Sequence, residues 1–81
     1  MPLSEKYIYH GMDITLDIYE KIGTVVEMLA DEDNISFEEA YNNFVASKVY
    51  AALQNPDTIM WAESAEFIVD EYYREKADLA G

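Results

Sequence analysis

Three carboxylates in the last third of the chain are spaced so that they could support acid–base or metal chemistry. Glu63, Glu66 and Asp70 stand at i, i+3 and i+7, and a helix through them would present all three on one side. Paired carboxylates can hold magnesium or exchange protons with a substrate. A metal cage or a catalytic site needs further ligands or a base, and the sequence places neither nearby. We therefore predict no metal, no cofactor and no catalytic residue.

Two other features could suggest catalysis or metal binding, but neither has the accompanying residues that such a site requires. His10 is the only histidine, and no nucleophile motif or cysteine accompanies it. The run Asp31-Glu32-Asp33-Asn34 resembles the start of an EF-hand calcium loop. That loop requires glycine at its sixth position and glutamate at its twelfth, where this chain has Ser36 and Asn42. The acidic run is better interpreted as a solvated loop, and the sequence argues against an enzyme.

Length and composition restrict the class of protein further. A chain of 81 residues forms one domain with a modest core, and 51% hydrophobic residues favour a folded chain. Seventeen acidic against five basic residues give a net charge of −12, which works against binding nucleic acid or an anionic membrane and favours a basic protein partner. The sequence shows no secretory signal pattern and no apolar run long enough to span a bilayer. The predicted location is the cytoplasm.

Apolar periodicity predicts a first helix over residues 12–31. One apolar face carries Met12, Leu16, Tyr19, Ile22, Val26 and Leu29. Gly23, in mid-helix, is interpreted as a point of close helix packing, since glycine there costs about 1 kcal/mol relative to alanine.

A second helix begins at the capping box Ser36-Phe37-Glu38-Glu39 and ends near Leu53, before Asn55-Pro56. Its apolar stripe is Phe37, Ala40, Tyr41, Phe44, Val45, Val49 and Ala52.

The third segment, residues 56–78, carries Trp61, Ala65, Ile68 and Tyr72 on one stripe. It is either one helix or a short turn followed by a longer helix that Ser64 caps. Tyr7-Ile8-Tyr9-His10 alternates like a strand without an evident pairing partner. Residues 1–11 are therefore predicted to form an arm that packs on the bundle, or extra turns of the first helix ahead of Gly11. The fold class is all-α: a small three-helix bundle over 12–81 with an N-terminal arm.

The aromatic residues provide the only candidates for a binding surface. Trp61 falls on an apolar stripe and is predicted to belong to the core, whereas Tyr41 and Tyr72 are predicted to lie at the edge of the core with their hydroxyls outward. Tyrosine and methionine off those stripes can contact a partner. The predicted patch consists of Tyr50, Ile59, Met60 and Tyr73.

One stretch of sequence resembles a known group of proteins. The pattern comprises Ser47-Lys48-Val49-Tyr50-Ala51-Ala52-Leu53, followed by Pro56, Thr58, Trp61 and Ser64. Over residues 36–75 the chain resembles small, acidic, helical bacterial proteins encoded near toxin-like ADP-ribosyltransferases. The resemblance implies an antitoxin or accessory role and brings no catalytic residues.

The sequence thus favours a non-catalytic protein-binding module, such as an antitoxin-like protein, whose acidic surface meets a basic partner. The alternative is an acidic DNA mimic that uses Glu63, Glu66 and Asp70, with Asp57 and Asp78, in place of phosphates. A homodimer that buries excess aromatic surface is a third hypothesis.

Overall fold

The computed structural model describes residues 7–80 of the 81-residue chain. Its elements, in chain order, are β1 (Ile8–Tyr9), β2 (Met12–Asp13), α1 (Thr15–Asp33), α2 (Phe37–Val45), α3 (Lys48–Leu53) and α4 (Ala65–Ala80). Two 3-10 turns, Pro56–Thr58 and Met60–Ala62, connect α3 to α4. The predicted all-α class is confirmed, because helices dominate and the strands form only a very small hairpin.

The N-terminal hairpin contains the strand that the sequence analysis left without a partner. Tyr9 pairs with Met12 around a two-residue loop, His10-Gly11. Both loop residues have positive φ angles, 50° and 81°, which the tightest hairpin turns require. The prediction of a strand without a partner is wrong, because Met12 and Asp13, predicted to begin the first helix, form the second strand instead. The first six residues of the predicted arm lie outside the described part of the chain.

The helix α1 begins later than predicted, and its buried face differs in the first half. Asp13 Oδ1 accepts a hydrogen bond of 3.0 Å from the Thr15 N–H, which starts the helix there. The buried positions of this region are Ile14, Ile18, Ile22, Val25, Val26 and Leu29. Met12, Leu16 and Tyr19, predicted to face the core, are exposed. Two apolar stripes overlap in this sequence, and the one rich in β-branched residues is buried.

The predicted second helix is two helices. The capping box begins α2 as expected, with Ser36 Oγ accepting a hydrogen bond of 3.0 Å from the Glu39 N–H. The break falls at Ser47, whose hydroxyl donates to the Phe44 carbonyl at 2.6 Å. The same oxygen accepts from the Tyr50 N–H at 3.1 Å, so Ser47 ends one helix and caps the next.

The third segment follows the second of the two alternatives. Asn55 Oδ1 accepts a hydrogen bond from the Asp57 N–H, which opens the first 3-10 turn. Ile59 separates the two turns in a left-handed conformation, φ 60°. Ser64 Oγ then accepts from the Phe67 N–H at 3.1 Å and begins α4. The side chains of Asn55 and Ser64 therefore determine where the first 3-10 turn and α4 begin.

Contacts between the first and last helices establish the course of the chain. Ala65, the first residue of α4, lies beside Lys21 and Thr24 of α1. The Tyr73 hydroxyl donates a hydrogen bond of 2.8 Å to Asp33, the last residue of α1. The helices α1 and α4 therefore run in the same direction, and α2, α3 and the 3-10 turns form the return path.

The core lies between α1, α2, α3 and α4. Besides the α1 residues it contains Ala40, Phe44, Val49, Leu53, Ile68, Val69 and Tyr72. Tyr72, predicted at the edge of the core, is fully buried, whereas Tyr41 is 41% exposed and Phe37 is 50% exposed, so neither of these two faces the core as the predicted α2 stripe requires. Within residues 7–80 no helix has the length and apolarity needed to cross a membrane.

Candidate protein-interaction surface

The residues first considered for chemistry do not form the predicted row of three carboxylates on one helix. His10 is exposed at the tip of the hairpin, and its ring lies 4.2 Å from that of Tyr9. Glu66 and Asp70 are exposed on α4, but Glu63 follows the second 3-10 turn in an extended conformation and is not part of the helix. Over residues 7–80 there is no group of three or more histidine, cysteine or acidic residues that could hold a metal ion.

The acidic run 31–34 is a helix end rather than a free loop. The helix α1 continues through Asp33, and Asn34 terminates it in a left-handed conformation, φ 56°. Asp33 accepts the hydroxyl of Tyr73. Burial raises the pKa of Tyr73, and the hydrogen bond to Asp33 and the negative charge of that carboxylate raise it further.

The four residues of the predicted patch occupy different surroundings. Ile59 is 44% exposed, whereas Met60 is half-buried against the core, as is Trp61. Tyr50 and Tyr73 are half-buried. The rings of Phe44 and Tyr72, both buried, lie between these two tyrosines.

Trp61, predicted to belong to the core, lies instead at its edge. Its indole N–H donates a hydrogen bond of 3.0 Å to the Pro56 carbonyl, and its ring packs edge-on against Tyr9 at 5.5 Å. The side chain thus joins the hairpin to the connection before α4.

A cluster of four tyrosines is the most distinctive feature of the surface. We call Tyr7, Tyr19, Tyr41 and Tyr50 the tyrosine cluster. The rings of Tyr7 and Tyr19 meet edge to face with centroids 6.1 Å apart. Gln54 of α3 donates a hydrogen bond of 2.9 Å to the Tyr7 hydroxyl. The four residues come from the start of the hairpin, α1, α2 and α3, so the folded chain alone brings them together.

The pKa of Tyr50 reports the proximity of the other three phenols. Burial is the main cause that raises the pKa of Tyr50 above its ordinary value. The neighbouring phenols of Tyr41, Tyr7 and Tyr19 raise it further, because a second phenolate there would be repelled. A hydrogen bond from Gln54 acts in the opposite direction. Tyr50 therefore lies near enough to the other three phenols for their charges to affect it, and the ring contact within the cluster is that of Tyr7 with Tyr19.

The tyrosine cluster continues into exposed apolar residues. Leu16, which is 72% exposed, precedes Tyr19 by one helical turn on α1. Phe37 precedes Tyr41 by one turn on α2. Tyr19 and Tyr41 are each about 40% exposed. This surface is both aromatic and accessible, which is the composition that protein interfaces favour.

Sequence reasoning selected only Tyr50 from this cluster. Tyr19 and Tyr41 lay on stripes that fit a helical core face, and Tyr7 lay in the arm. One signal could have separated them: the Ile14, Ile18, Ile22 and Val25 positions form a second stripe with the same period. Because that stripe already supplies a continuous core face, the tyrosines beside it were available for the surface.

Comparison with known proteins adds no family assignment. A scan against protein-family models gave no match, and no curated protein and no solved structure showed significant similarity to the chain. The residues that carry the resemblance have clear structural roles: Ser47 and Ser64 cap helices, and the Thr58 hydroxyl donates to the Ala52 carbonyl at 2.7 Å. The molecule is a small acidic helical domain, and its relation to the toxin-associated group stays a prediction.

Proposed function

We propose that this protein is a non-catalytic protein-binding module whose tyrosine cluster contacts a partner with a basic surface. The observation that carries the proposal is the ring contact of Tyr7 with Tyr19 close to Tyr50, together with the exposure of about 40% of Tyr19 and Tyr41. Tyrosine supplies a large, rigid, amphipathic contact surface at low entropic cost, and it is enriched where protein binding energy is concentrated.

The charge of the protein supports a basic partner. The net charge is −12, and exposed carboxylates on α1, including Glu20 and Glu27, flank the side that carries Leu16 and Tyr19. Such a field accelerates association with a positively charged surface and discourages acidic competitors. It also opposes self-association, so a homodimer would have to bury apolar area against like-charge repulsion. Light scattering at low and high salt tests that third hypothesis.

The described side chains offer little for a non-protein function. The one histidine lies at an exposed hairpin tip, and residues 7–80 hold no group of three or more histidine, cysteine or acidic side chains that could bind a metal ion. Catalysis needs a nucleophile, a base and a group that stabilises developing charge within reach of one another. These features support a binding role over an enzymatic one.

The decisive experiment measures complex formation with and without the cluster. The first partners to try are the products of adjacent genes, since an antitoxin-like role is the narrower form of this proposal. We expect co-elution at low salt, and Tyr41→Ala should weaken the measured affinity by at least about tenfold, or 1.4 kcal/mol. Phe67→Ala is the matched control, because Phe67 is 40% exposed on α4, outside the cluster. Equal effects of the two substitutions would refute the proposal.

The DNA-mimic alternative has one supporting observation, a row of exposed carboxylates on α1. Asp17, Glu20, Glu27 and Asp31 share one side of the helix over a rise of about 21 Å. A single DNA strand presents about six phosphates over that length, and the duplex about twelve. Four charges are too sparse for a close copy, so the binding module is favoured. Reversing the charge at Asp17 and Asp31, the ends of that row, should abolish mimicry but only slow association of a module that binds through tyrosines.

A further inference from the structure

The hydrogen bond between α4 and the end of α1 places a phenol against a carboxylate. The Tyr73 hydroxyl donates to Asp33 Oδ1 over 2.8 Å. A carboxylate is ionised at neutral pH and can take up a proton. The Tyr7 hydroxyl instead accepts a hydrogen bond from the Gln54 amide, which is not a base. The two phenols thus differ in whether their hydrogen-bond partner can receive a proton.

A phenol that is hydrogen-bonded to a carboxylate is suited to one-electron oxidation. Removal of an electron makes the O–H group strongly acidic, and a stable neutral radical remains only after the proton has left. At Tyr73 the electron would pass to the oxidant, the O–H bond would break, and the proton would move along the hydrogen bond to Asp33. The products are a phenoxyl radical, a carboxylic acid and the reduced oxidant.

The neighbouring ring of Tyr72 has the opposite electrostatic surroundings. The rings of Tyr72 and Tyr73 pack edge to face with their centroids 5.6 Å apart. The Lys76 ammonium group lies 5.2 Å from the centroid of the Tyr72 ring, where its positive charge opposes the loss of an electron. Tyr72 is also 1% exposed, whereas Tyr73 is half-buried. Of these two adjacent tyrosines, Tyr73 is therefore the one that an oxidant can reach and oxidise.

The charges near Tyr73 also separate two kinds of tyrosine chemistry. Burial raises the pKa of Tyr73 most, and Asp33 and Glu32 raise it further. The phenolate is therefore scarce at neutral pH, and reagents that attack phenolate should react slowly there. The same negative charges favour removal of an electron, because they attract the positive charge that it leaves on the ring.

We propose that Tyr73 is a site of oxidative modification, where a one-electron oxidant forms a tyrosyl radical while Asp33 takes up the phenolic proton. Nitrogen dioxide is an oxidant of this class and also traps the radical. One molecule takes the electron and becomes nitrite. A second forms a C–N bond at the ring carbon next to the C–O carbon, and the proton on that carbon moves to the oxygen, giving 3-nitrotyrosine. This inference goes beyond the proposed function and does not depend on it.

The test compares two nitrating reagents on the full chain at neutral pH. Nitrogen dioxide generated by radiolysis of nitrite acts by electron removal, whereas tetranitromethane attacks phenolate. Peptide mass spectrometry measures nitration at Tyr73 relative to Tyr41, which is 41% exposed and serves as the internal standard. We expect this ratio to be about tenfold or more higher with nitrogen dioxide, because only that reagent uses the proton acceptor. Equal ratios for the two reagents would overturn the proposal.

Substitutions test the role of Asp33 directly. Asp33→Asn keeps an oxygen that can accept the hydrogen bond but removes the base, so nitration of Tyr73 by nitrogen dioxide should fall about tenfold relative to Tyr41. Glu32→Gln is the matched control, because it removes a nearby charge and leaves the hydrogen-bond partner in place. An equal fall for the two variants would refute proton transfer to Asp33.

Two further measurements keep the proposal falsifiable without any substitution. Nitration of Tyr73 by nitrogen dioxide should be slower in deuterated water, because the O–H bond breaks as the electron leaves. The unmodified protein should also show more nitration at Tyr73 than at Tyr72, its ring neighbour. A reversed order of these two tyrosines, or no isotope effect at Tyr73, would overturn the assignment.

Discussion

Glu75 of α4 accepts a hydrogen bond of 3.0 Å from the backbone N–H of Val49, near the start of α3. Its second oxygen accepts from the Lys48 N–H at 2.9 Å. A carboxylate from a distant helix therefore satisfies the first N–H groups of a six-residue helix, while Ser47 satisfies that of Tyr50. This arrangement allows the chain to break between α2 and α3 without leaving those donors unpaired.

We predict that Glu75→Ala lowers the free energy of unfolding by about 1–2 kcal/mol, the usual cost of losing a helix cap. For a chain of this size that corresponds to a melting temperature lower by about 4–16 °C. Thermal unfolding followed by circular dichroism measures the shift. Glu71→Gln is the control, because it removes only the exposed ion pair with Arg74, worth at most about 1 kcal/mol. A smaller loss for Glu75→Ala than for this control would contradict the capping role.

A second prediction concerns Ile59, a β-branched residue in the left-handed region, with φ 60°. Such a conformation costs about 1–2 kcal/mol for residues other than glycine. Ile59→Ala and Ile59→Gly remove the same apolar contacts except for one methyl group. We expect the glycine variant to be the more stable of the two by about 1 kcal/mol, measured by urea denaturation.

The same comparison of glycine with alanine at position 23 is the control for Ile59. There we expect the alanine variant to be the more stable of the two. The structure contradicts the interpretation of Gly23 as a point of close packing, because a Cβ built there would meet no heavy atom within 4 Å. Gly23 has ordinary helical geometry and free space around it, so alanine should stabilise the protein there by about 1 kcal/mol. If glycine were also the less stable choice at position 59, the left-handed conformation would not be strained.

The third prediction concerns the ionisation of Tyr73. Burial and the hydrogen bond to Asp33 raise its pKa above the unfolded value, so the protonated phenol stabilises the fold. That contribution is complete below about pH 10, where the unfolded chain keeps its proton, and is lost as the pH rises above it. Phenolate absorbance during alkaline titration should show a tyrosine that ionises late, and Tyr73→Phe should remove it. If Tyr73→Phe instead removed a tyrosine that ionises at a lower pH than the others, the assignment of the raised pKa to Tyr73 would be wrong.

The sequence predicted local structure well where the signal lies within a few residues. Ser36, Asn55 and Ser64 each cap a helix or turn through an N–H two or three positions ahead, and those starts are confirmed. The α2–α3 break was missed although Ser47 caps α3 locally, because the apolar stripe continues through Val49 and Ala52 and because the other cap, Glu75, is remote in sequence.

The composition of the surface was harder to predict, because two apolar stripes of the same period compete for one core. Leu16 and Ile18 are both apolar and both fit a helical face, so periodicity alone cannot decide which is buried. The core has room for one stripe, and the other remains on the surface. The same ambiguity hid Tyr19 and Tyr41, and with them the tyrosine cluster.

The contact between Tyr9 and Trp61 joins the N-terminal hairpin to the connection before α4 through the only indole in the chain. Contacts between distant segments lose more loop entropy and tend to form late during folding. Intrinsic fluorescence should therefore follow hairpin docking, while far-ultraviolet dichroism follows the helices. In stopped-flow refolding we expect the change in tryptophan fluorescence to be slower than the change in dichroism. Its rate would then measure hairpin docking without any added label.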